Sequence, residues 1–264
     1  MKKFAHQPRK RFGQNFLNAP HIIHNIVRTI HPQKEDNMVE IGPGLGALTQ
    51  ELLPLLSQLH VVELDRDLIP KLEKLDPVQS RLIIHQADAL EFDFTQLASA
   101  NKPLRIVGNL PYNISTPLLF HLLKITPLIK DMYFMLQKEV VDRIVAQPNS
   151  KTYGRLSIMI QYFCETQALF DVPPQCFSPP PKVNSAIVAL KPYKIPPYQA
   201  VDFDFFTHIV RDAFNQRRKT LHNSLKKYLA PSLAEDLNLS LRPEQVSVAE
   251  FVKISNQLNV SKAS

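Results

Sequence analysis

Cysteine is scarce in this 264-residue chain, which contains only Cys164 and Cys176. Two thiols cannot build the framework of several disulfides that is typical of small secreted domains. The chain also has no Cys-x-x-Cys and no His-Glu-x-x-His motif, so the common zinc-site patterns are missing. We therefore expect two cysteines that serve packing, and a protein that works without a metal.

Long apolar runs are missing as well. No segment approaches the roughly 20 apolar residues that a membrane-spanning helix needs. The basic start of the sequence lacks the apolar core of a signal peptide. These absences predict a cytoplasmic protein that has no membrane partner.

The composition is that of a globular protein, but its positive charge is unevenly distributed. The formal charge of +7 and the pI near 9.3 indicate an acidic partner, either nucleic acid or an anionic surface. Residues 1–20 hold five basic residues and no acid, and residues 211–228 hold six against one aspartate. We expect these segments to bind the acidic partner. The alternative is that their charged side chains are only solvated at the protein surface. The main candidates are Arg9, Lys10, Arg11, Arg217, Arg218 and Lys219.

Short apolar runs alternate with helical patterns in the first part of the chain. The runs that read as buried strands lie at residues 38–41, 59–64, 81–84, 104–107 and 132–136. Helical spacing fills the intervals at residues 46–56, 67–75 and 116–124. This order predicts an α/β fold with an open parallel sheet, closed by an antiparallel hairpin of residues 168–172 and 185–190. Pro54 is expected to kink its helix.

A proline-rich segment at residues 191–200 interrupts this pattern. After it, only helical patterns occur, at residues 203–214, 220–229 and 248–258. We therefore predict a sheet-containing domain over residues 1–195, which includes the basic N-terminal arm, and a small all-helical domain over residues 196–264.

The strand at residues 104–107 leads through Gly108 into Asn109, Leu110, Pro111 and Tyr112. The exocyclic amine of adenine is a poor nucleophile because its lone pair is conjugated into the ring. The Asn109 side-chain oxygen and the Leu110 carbonyl can accept both amine protons, while Pro111 fixes the turn. Tyr112 can stack on the base. This segment indicates a pocket for a flat, amino-bearing base, with an ordinary strand-to-helix loop as the alternative.

The ends of the preceding strands carry a glycine-rich turn and two acids. Gly42 and Gly44 lie in a G-x-G-x-G turn, which lets a ligand approach the backbone closely. The spacing differs from the dinucleotide fingerprint G-x-G-x-x-G, and no P-loop Lys-Ser/Thr follows. Glu63 lies where an acid can accept from a ribose diol, and Asp88 can accept from an adenine amine. Helix capping or a loop position is the alternative for each acid.

Five ordered motifs resemble those of one known family. They are RFGQNFL at residues 11–17, EIGPG at 40–44, VELD at 62–65, NLPY at 109–112 and FSPPPKVNS at 177–185. Together they resemble the motifs of the ribosomal RNA adenine N6,N6-dimethyltransferases, and the resemblance spans roughly the whole chain. It implies a Rossmann-like class I methyltransferase sheet with helices on both faces, followed by a small all-helical C-terminal domain.

The resemblance also implies ligands and site residues. S-adenosylmethionine is the implied cofactor, bound without a metal by Asn15, Leu17, Gly42, Glu63, Asp88 and Asn109, with Gly44 in the same turn. The target adenine is implied to lie against Asn109, Leu110 and Tyr112, with Phe177 on its other face. The implied substrate is a pair of adjacent adenosines in the terminal hairpin loop of small-subunit ribosomal RNA. The protein is implied to bind this RNA within a ribosomal subunit or an assembly intermediate. We expect the chain to act as a monomer.

Two alternatives stay open. The first keeps the enzyme class but changes the substrate to a large-subunit RNA adenine or to DNA adenine. The motif Asn-Leu-Pro-Tyr, rather than the Asn-Pro-Pro-Tyr type, argues against DNA, and the motif at residues 177–185 argues against the large subunit. The second is a non-catalytic RNA-binding or ribosome-assembly factor, against which the intact Glu63, Asp88 and Asn109 argue.

Overall fold

The computed structural model describes residues 14–78, 80–99, 101–229 and 237–260. The chain divides into two compact units. The first unit comprises the described residues up to Val141 together with Gln167–Pro192. The second unit comprises Asp142–Thr166 and the described residues from Tyr193 onward. The chain enters the second unit for the last time within the proline-rich segment, where the domain boundary is predicted. Residues 142–166, which the prediction places in the first domain, group with the second unit.

The main sheet has seven strands in the described residues. They are β2 (Asn37–Ile41), β3 (Leu59–Glu63), β4 (Leu82–Gln86), β5 (Leu104–Asn109), β6 (Ile129–Gln137), β7 (Cys164–Val172) and β9 (Ser185–Pro192). Their spatial order is β4-β3-β2-β5-β6-β9-β7. The five strands from β4 to β6 pair in parallel, and β9 pairs antiparallel with β6. The predicted mixed sheet, closed by late strands, is confirmed.

A second, very short sheet was not predicted. It pairs β1 (Phe16–Leu17) antiparallel with β8 (Phe177–Ser178). Two-residue strands have no hydrophobic period to detect, so only the folded chain reveals this pairing. The pairing brings the N-terminal segment next to the motif at residues 177–185.

Helices lie on both sides of the sheet and are the main regular elements of the second unit. The helices are α1 (Pro20–Ile30), α2 (Ala47–Leu52), α3 (Ile69–Glu73), α4 (Ser115–Leu123), α5 (Lys138–Ile144), α6 (Arg155–Phe163), α7 (Phe203–Asn215), α8 (Leu221–Ser224) and α9 (Val248–Val260). Helix α2 ends at Leu52, and Pro54, which was expected to kink the helix, lies in the 3-10 turn Leu53–Leu55 that follows, because proline has no backbone donor. The helix predicted at residues 220–229 is shorter, because it ends at Ser224 and a 3-10 turn follows.

The core of the first unit forms where helix α1 meets the sheet. Ile22, Ile26 and Ile30 recur along one face of α1 and are buried, as an amphipathic helix requires. They belong to the same apolar cluster as Met38 and Val107 of the strands. The strands are apolar on both faces because helices cover both sides of a parallel sheet.

The second unit is held by aromatic packing. Helix α6 packs against α7 and α9. Tyr162 of α6 lies 5.0 Å from Phe206 and 5.3 Å from Phe203 between ring centroids. The Tyr153 hydroxyl donates to the Val246 carbonyl at 3.0 Å. These contacts join residues far apart in sequence, which is why residues 142–166 group with the later helices.

The two edges of the sheet differ in what they carry. At the amino edge, the buried Arg105 forms ion pairs with Asp36 at 2.6 Å and Asp131 at 2.8 Å. Its guanidinium also donates to the Ile30 carbonyl at the end of α1, at 2.6 Å. At the carboxyl edge, the chain runs outward from β2 to β4 and then returns to β5 on the other side of β2. Open α/β sheets bind ligands at such a reversal.

No helix among the described residues is both long and apolar enough to cross a bilayer.

Candidate active site

A cavity of about 320 Å³ opens at the carboxyl edge of the sheet. Its wall is formed by the segments that follow β2, β3, β4 and β5, and by the N-terminal segment around β1. Parallel strands place their carboxyl ends side by side, so residues separated by many positions in sequence meet here. Every predicted cofactor residue lines this cavity: Asn15, Leu17, Gly42, Gly44, Glu63, Asp88 and Asn109.

The glycine-rich turn after β2 needs glycine for two separate reasons. Gly44 has a φ of +61°, a conformation that residues with a Cβ rarely adopt. A Cβ at this position would also lie 3.0 Å from the Phe16 ring. The turn can therefore pass close to Phe16 and line the cavity with its backbone.

Glu63 lies at the end of β3 and is only 6% exposed. Its Oε2 accepts from the Gly44 amide at 3.1 Å, and its Oε1 accepts from the Asp65 amide at 2.8 Å. Burial raises the pKa of Glu63, and these backbone donors oppose that rise. The carboxylate is thus fixed by one donor on each oxygen, and each oxygen keeps a further lone pair for a ligand hydroxyl.

A second buried acid, Glu40, also lines the cavity and was not predicted as a site residue. It is 2% exposed and accepts from the Thr49 hydroxyl at 2.6 Å. Burial, together with the neighbouring charge of Glu63, raises its pKa to about 7, against the opposing effect of the hydrogen bond from Thr49. The available signal was a glutamate at a buried strand position, where a charge is costly unless it has a function or a partner.

Asn109, at the end of β5, is oriented by the N-terminal segment. Its Nδ2 donates to the Asn15 carbonyl at 2.9 Å. This bond fixes which end of the amide carries the acceptor oxygen, because Nδ2 and Oδ1 lie on opposite sides of the same planar group. Gln14 secures the segment further by donating to Asp65 at 2.9 Å. The predicted acceptor therefore has a defined direction.

The loop after Asn109 lines the cavity with Leu110, Pro111 and Tyr112. The Leu110 amide donates to the Met135 carbonyl of β6 at 3.2 Å, which ties the loop to the sheet. Tyr112 is half-buried, and its hydroxyl lies 2.8 Å from the Ser185 hydroxyl. Ser185 belongs to the fifth motif of the sequence, but sequence reasoning gave it no role.

A model of the ribosomal RNA adenine dimethylase family matches residues 5–260 of the chain. The chain belongs to the ribosomal RNA adenine dimethylase family. It is 53% identical over 257 residues to the ribosomal RNA small subunit methyltransferase A of Pseudomonas aeruginosa, covering 97% of this chain and 96% of the relative. It is 56% identical over 257 residues to the protein of that name from Saccharophagus degradans, with 96% of each chain covered.

Solved structures agree with this membership of the adenine dimethylase family. A dimethyladenosine transferase from Plasmodium falciparum superposes with a TM-score of 0.78 at 26% identity, covering 94% of this chain and 98% of that one. The 23S rRNA methyltransferase ErmE has the same fold, with a TM-score of 0.73 at 22% identity, covering 93% of this chain and all of that one. The predicted Rossmann-like methyltransferase fold is therefore confirmed.

Two further residues implied by the resemblance, Asp88 and Phe177, differ from each other in their exposure. Asp88 is partly exposed in the cavity wall, and its Oδ1 accepts from the Leu90 amide at 2.9 Å. Phe177 is 3% exposed and belongs to the core cluster, where β1 and β8 pair it with Leu17. Tyr112 thus faces the cavity, whereas the Phe177 ring is packed in the core.

The predicted RNA-gripping residues divide into two groups. Arg9, Lys10 and Arg11 lie outside the described residues. Arg217, Arg218 and Lys219 are exposed in the second unit, after α7. Arg217 already donates to the Lys151 carbonyl at 2.7 Å and to the Tyr153 carbonyl at 3.0 Å. Within the described part of the chain, no group of three or more potential metal ligands is found.

Proposed function

We propose that this protein transfers methyl groups from S-adenosylmethionine to N6 of two adjacent adenosines in the terminal hairpin loop of small-subunit ribosomal RNA, giving N6,N6-dimethyladenosine. The observation that carries the proposal is the directed Asn109 amide in the wall of a cavity that the buried Glu40 and Glu63 also line. Membership of the adenine dimethylase family supports the reaction, and the small-subunit names of its relatives support the substrate.

The cavity wall fits the proposed cofactor in charge and in hydrogen bonding. Glu63 has lone pairs left for a ribose diol, and Asp88 can accept from an adenine amine. Glu40 and Glu63 both have raised pKa values because burial disfavours their charged forms. A cationic ligand offsets that cost, so these acids favour a positively charged cofactor. When bound, S-adenosylmethionine supplies a methyl group on a cationic sulfur, which is displaced as a neutral thioether.

Asn109 and Leu110 activate the target amine. The Asn109 Oδ1 and the Leu110 carbonyl each accept one N6 proton, which draws the nitrogen lone pair out of conjugation with the ring. Both acceptors are fixed before substrate arrives, since Asn109 is held by Asn15 and Leu110 by Met135. Preorganised polar groups of this kind stabilise developing charge without reorganisation. No residue is assigned as a general base.

Tyr112 supplies the stacking surface for the adenine. A base in a hairpin loop can leave its stack at a cost of only a few kcal/mol, and stacking on an aromatic side chain offsets that cost. We also keep the predicted role of Phe177 as the second stacking ring. For that role the Phe177 side chain must turn out of the core, because it is 3% exposed.

The proposed function is tested by methyl transfer to a defined substrate. Small ribosomal subunits from a strain that lacks the modification are incubated with the protein and radiolabelled S-adenosylmethionine. Reverse-transcription stops then locate the product. We expect dimethyladenosine at two adjacent positions of the terminal hairpin loop. Transfer to large-subunit RNA or to DNA alone would contradict the proposed substrate. The absence of transfer to any nucleic acid would contradict the proposed enzymatic activity.

We further propose that exposed cationic side chains of the second unit bind RNA phosphates. Arg218 and Lys219 are both exposed, and the neighbouring Arg217 is tied to the Lys151 and Tyr153 carbonyls. Neutralising all three cations is expected to weaken RNA binding uniformly across sequences. The salt dependence should flatten by a slope of roughly 0.7 for each phosphate that the variant no longer neutralises.

A double variant separates the phosphate contacts from the support given by Arg217. Arg218→Gln with Lys219→Gln should lower the slope without changing stability or cofactor affinity. A matched control removes two exposed charges elsewhere, through Lys34→Gln and Lys124→Gln. Equal slopes for the double variant and wild type would assign phosphate binding to other residues. The expectations of a cytoplasmic location and a monomer stay predictions, which fractionation and sedimentation can test.

A further inference from the structure

Tyr112 is held both at its backbone and at the tip of its side chain. Its backbone carbonyl accepts from the Ser115 hydroxyl at 3.1 Å. Its phenolic oxygen lies 2.8 Å from the Ser185 hydroxyl, across 73 positions of sequence. A side chain fixed at its backbone and at its tip has little freedom to rotate about χ1 and χ2. The direction of the ring face is therefore set by these two serines.

Ser185 is itself a rigid anchor. It is fully buried and is the first residue of β9. Its backbone pairs with Gln137 of β6, and the preceding carbonyl, that of Asn184, accepts from the Lys138 amide at 2.9 Å. Strand β6 also holds the base-binding loop, through the bond from the Leu110 amide to the Met135 carbonyl. The base-binding loop and Ser185 are thus both hydrogen-bonded to the segment that contains strand β6.

We propose that Ser185 is a positioning residue that sets the Tyr112 ring for stacking on the target adenine. This inference rests on the proposed function, because it specifies how the same site orients its substrate. Burial raises the pKa of Tyr112, so the phenol stays protonated at neutral pH and can donate to Ser185. Ser185 does not line the cavity, so it acts through Tyr112 and not on the base directly.

The two methylations depend on this positioning to different degrees. Before the first transfer, N6 carries two protons, and Asn109 and Leu110 can each accept one. The transfer gives a cationic nitrogen, which releases one proton to water. N6 then carries one proton and a methyl group, so only one of the two directing hydrogen bonds remains. Stacking on Tyr112 must then supply more of the orientation. Loosening the ring should therefore slow the second methylation more than the first.

The test compares three variants: Ser185→Ala, Tyr112→Phe and the double variant. Both single variants break the same hydrogen bond while keeping the ring. We expect each to lower kcat for the second methylation by roughly tenfold to a hundredfold, as misplaced reacting groups do. Monomethyladenosine should accumulate, and the affinity for S-adenosylmethionine should stay unchanged. The double variant should fall within about threefold of either single variant, because both singles remove one shared interaction.

Two controls separate positioning from stability and from the proposed function. Tyr133→Phe makes the same chemical change at the middle of β6 and should leave the ratio of mono- to dimethyladenosine unchanged. Ser185→Thr keeps the hydroxyl and should restore dimethylation. A wild-type ratio and kcat in Tyr112→Phe would overturn the proposal, even if Ser185→Ala failed to fold. Failure of the proposed function is distinguishable, because wild type itself would then transfer no methyl group to small subunits.

Discussion

The two edges of the same sheet use charged and amide side chains in opposite ways. At the amino edge, Arg105 is enclosed by Asp36, Asp131 and the carbonyls of Ile30 and His31. At the carboxyl edge, Glu63 and Asn109 take part in hydrogen bonds with the backbone but also line a cavity. At the amino edge, the charged side chains form their hydrogen bonds and ion pairs with other groups of the protein. At the carboxyl edge, hydrogen bonds to the backbone orient side chains that can still form hydrogen bonds with a ligand.

This difference shows how one fold places the residues that stabilise it and the residues that bind ligands at opposite edges of the same sheet. A buried ion pair that loses one partner leaves an uncompensated charge, so the amino edge should be costly to break. A buried carboxylate held by backbone amides keeps its position even when no ligand is present. Substitutions at the carboxyl edge should therefore change binding and rate, whereas substitutions at the amino edge should change the free energy of unfolding.

The largest effect is expected from Arg105→Met. It removes the Arg105 partner of Asp131 and leaves Asp36 with Lys130 and the Gln33 amide, so the free energy of unfolding should fall by about 3 to 5 kcal/mol. Chemical denaturation measures this loss, and the surviving folded fraction should keep its affinity for S-adenosylmethionine. Lys130→Met is the matched control, since Lys130 also contacts Asp36 at 3.1 Å but is half exposed. It should cost at most about 1 kcal/mol. Equal losses in the two variants would refute the distinction.

The next effect is expected from Asn109→Ala. Methyl transfer should slow by roughly 10²- to 10³-fold, because a preorganised acceptor at the developing charge is removed. Cofactor affinity should fall much less. Asn109→Asp keeps an acceptor oxygen but loses the Nδ2 donor to the Asn15 carbonyl, so it should lose rate as well. Single-turnover transfer to small subunits measures both, and undiminished rates in Asn109→Ala would remove the amide from the mechanism.

A smaller effect is expected from Glu63→Ala. Loss of charge-assisted hydrogen bonds to the ribose should weaken S-adenosylmethionine binding by about 1.5 to 3 kcal/mol. Titration calorimetry measures the affinity, and Glu73→Ala on the exposed face of α3 is the control. Unchanged affinity in the Glu63 variant would take this residue out of the cofactor site.

The smallest effect is expected from the pH dependence of Glu40. Its folded-state pKa is raised from 4.5 to about 7, so the folded protein binds more protons than the unfolded chain between these values. Stability from this group is therefore lost as the pH rises through 7. From about pH 6 to 7, wild type should lose about 1 kcal/mol relative to Glu40→Gln, since one group changes stability by at most about 1.4 kcal/mol per pH unit. Parallel stability profiles for the two proteins would contradict the assignment.

Much of this comparison could be predicted from the sequence. Buried apolar runs located β2 to β6, and the rule that parallel strands end together predicted that Gly42, Glu63, Asp88 and Asn109 would meet. Local patterns were sufficient because each residue lies at or just after the end of a recognisable strand. The roles of Asn15 and Leu17 came only from the family resemblance.

The remaining features depend on contacts between distant parts of the chain. Ser185 contacts Tyr112 across 73 positions, and the pairing of β1 with β8 has no periodicity to detect. Residues 142–166 join the second unit through aromatic packing with later helices, which local spacing does not encode. The burial of Phe177 likewise follows from its partner strand and not from its motif.

The most direct test makes one substitution at both edges of the sheet. Asn109→Ala at the carboxyl end of β5 is compared with Asn37→Ala at the amino end of β2. There, Asn37 donates to the Leu97 and Lys102 carbonyls at 2.7 and 3.1 Å. The rate of methyl transfer to small subunits and the free energy of unfolding are measured for both variants. We expect Asn109→Ala to lose rate but little stability, and Asn37→Ala to lose stability but little rate. Equal losses of rate in the two variants would contradict the assignment of chemistry to the carboxyl edge alone.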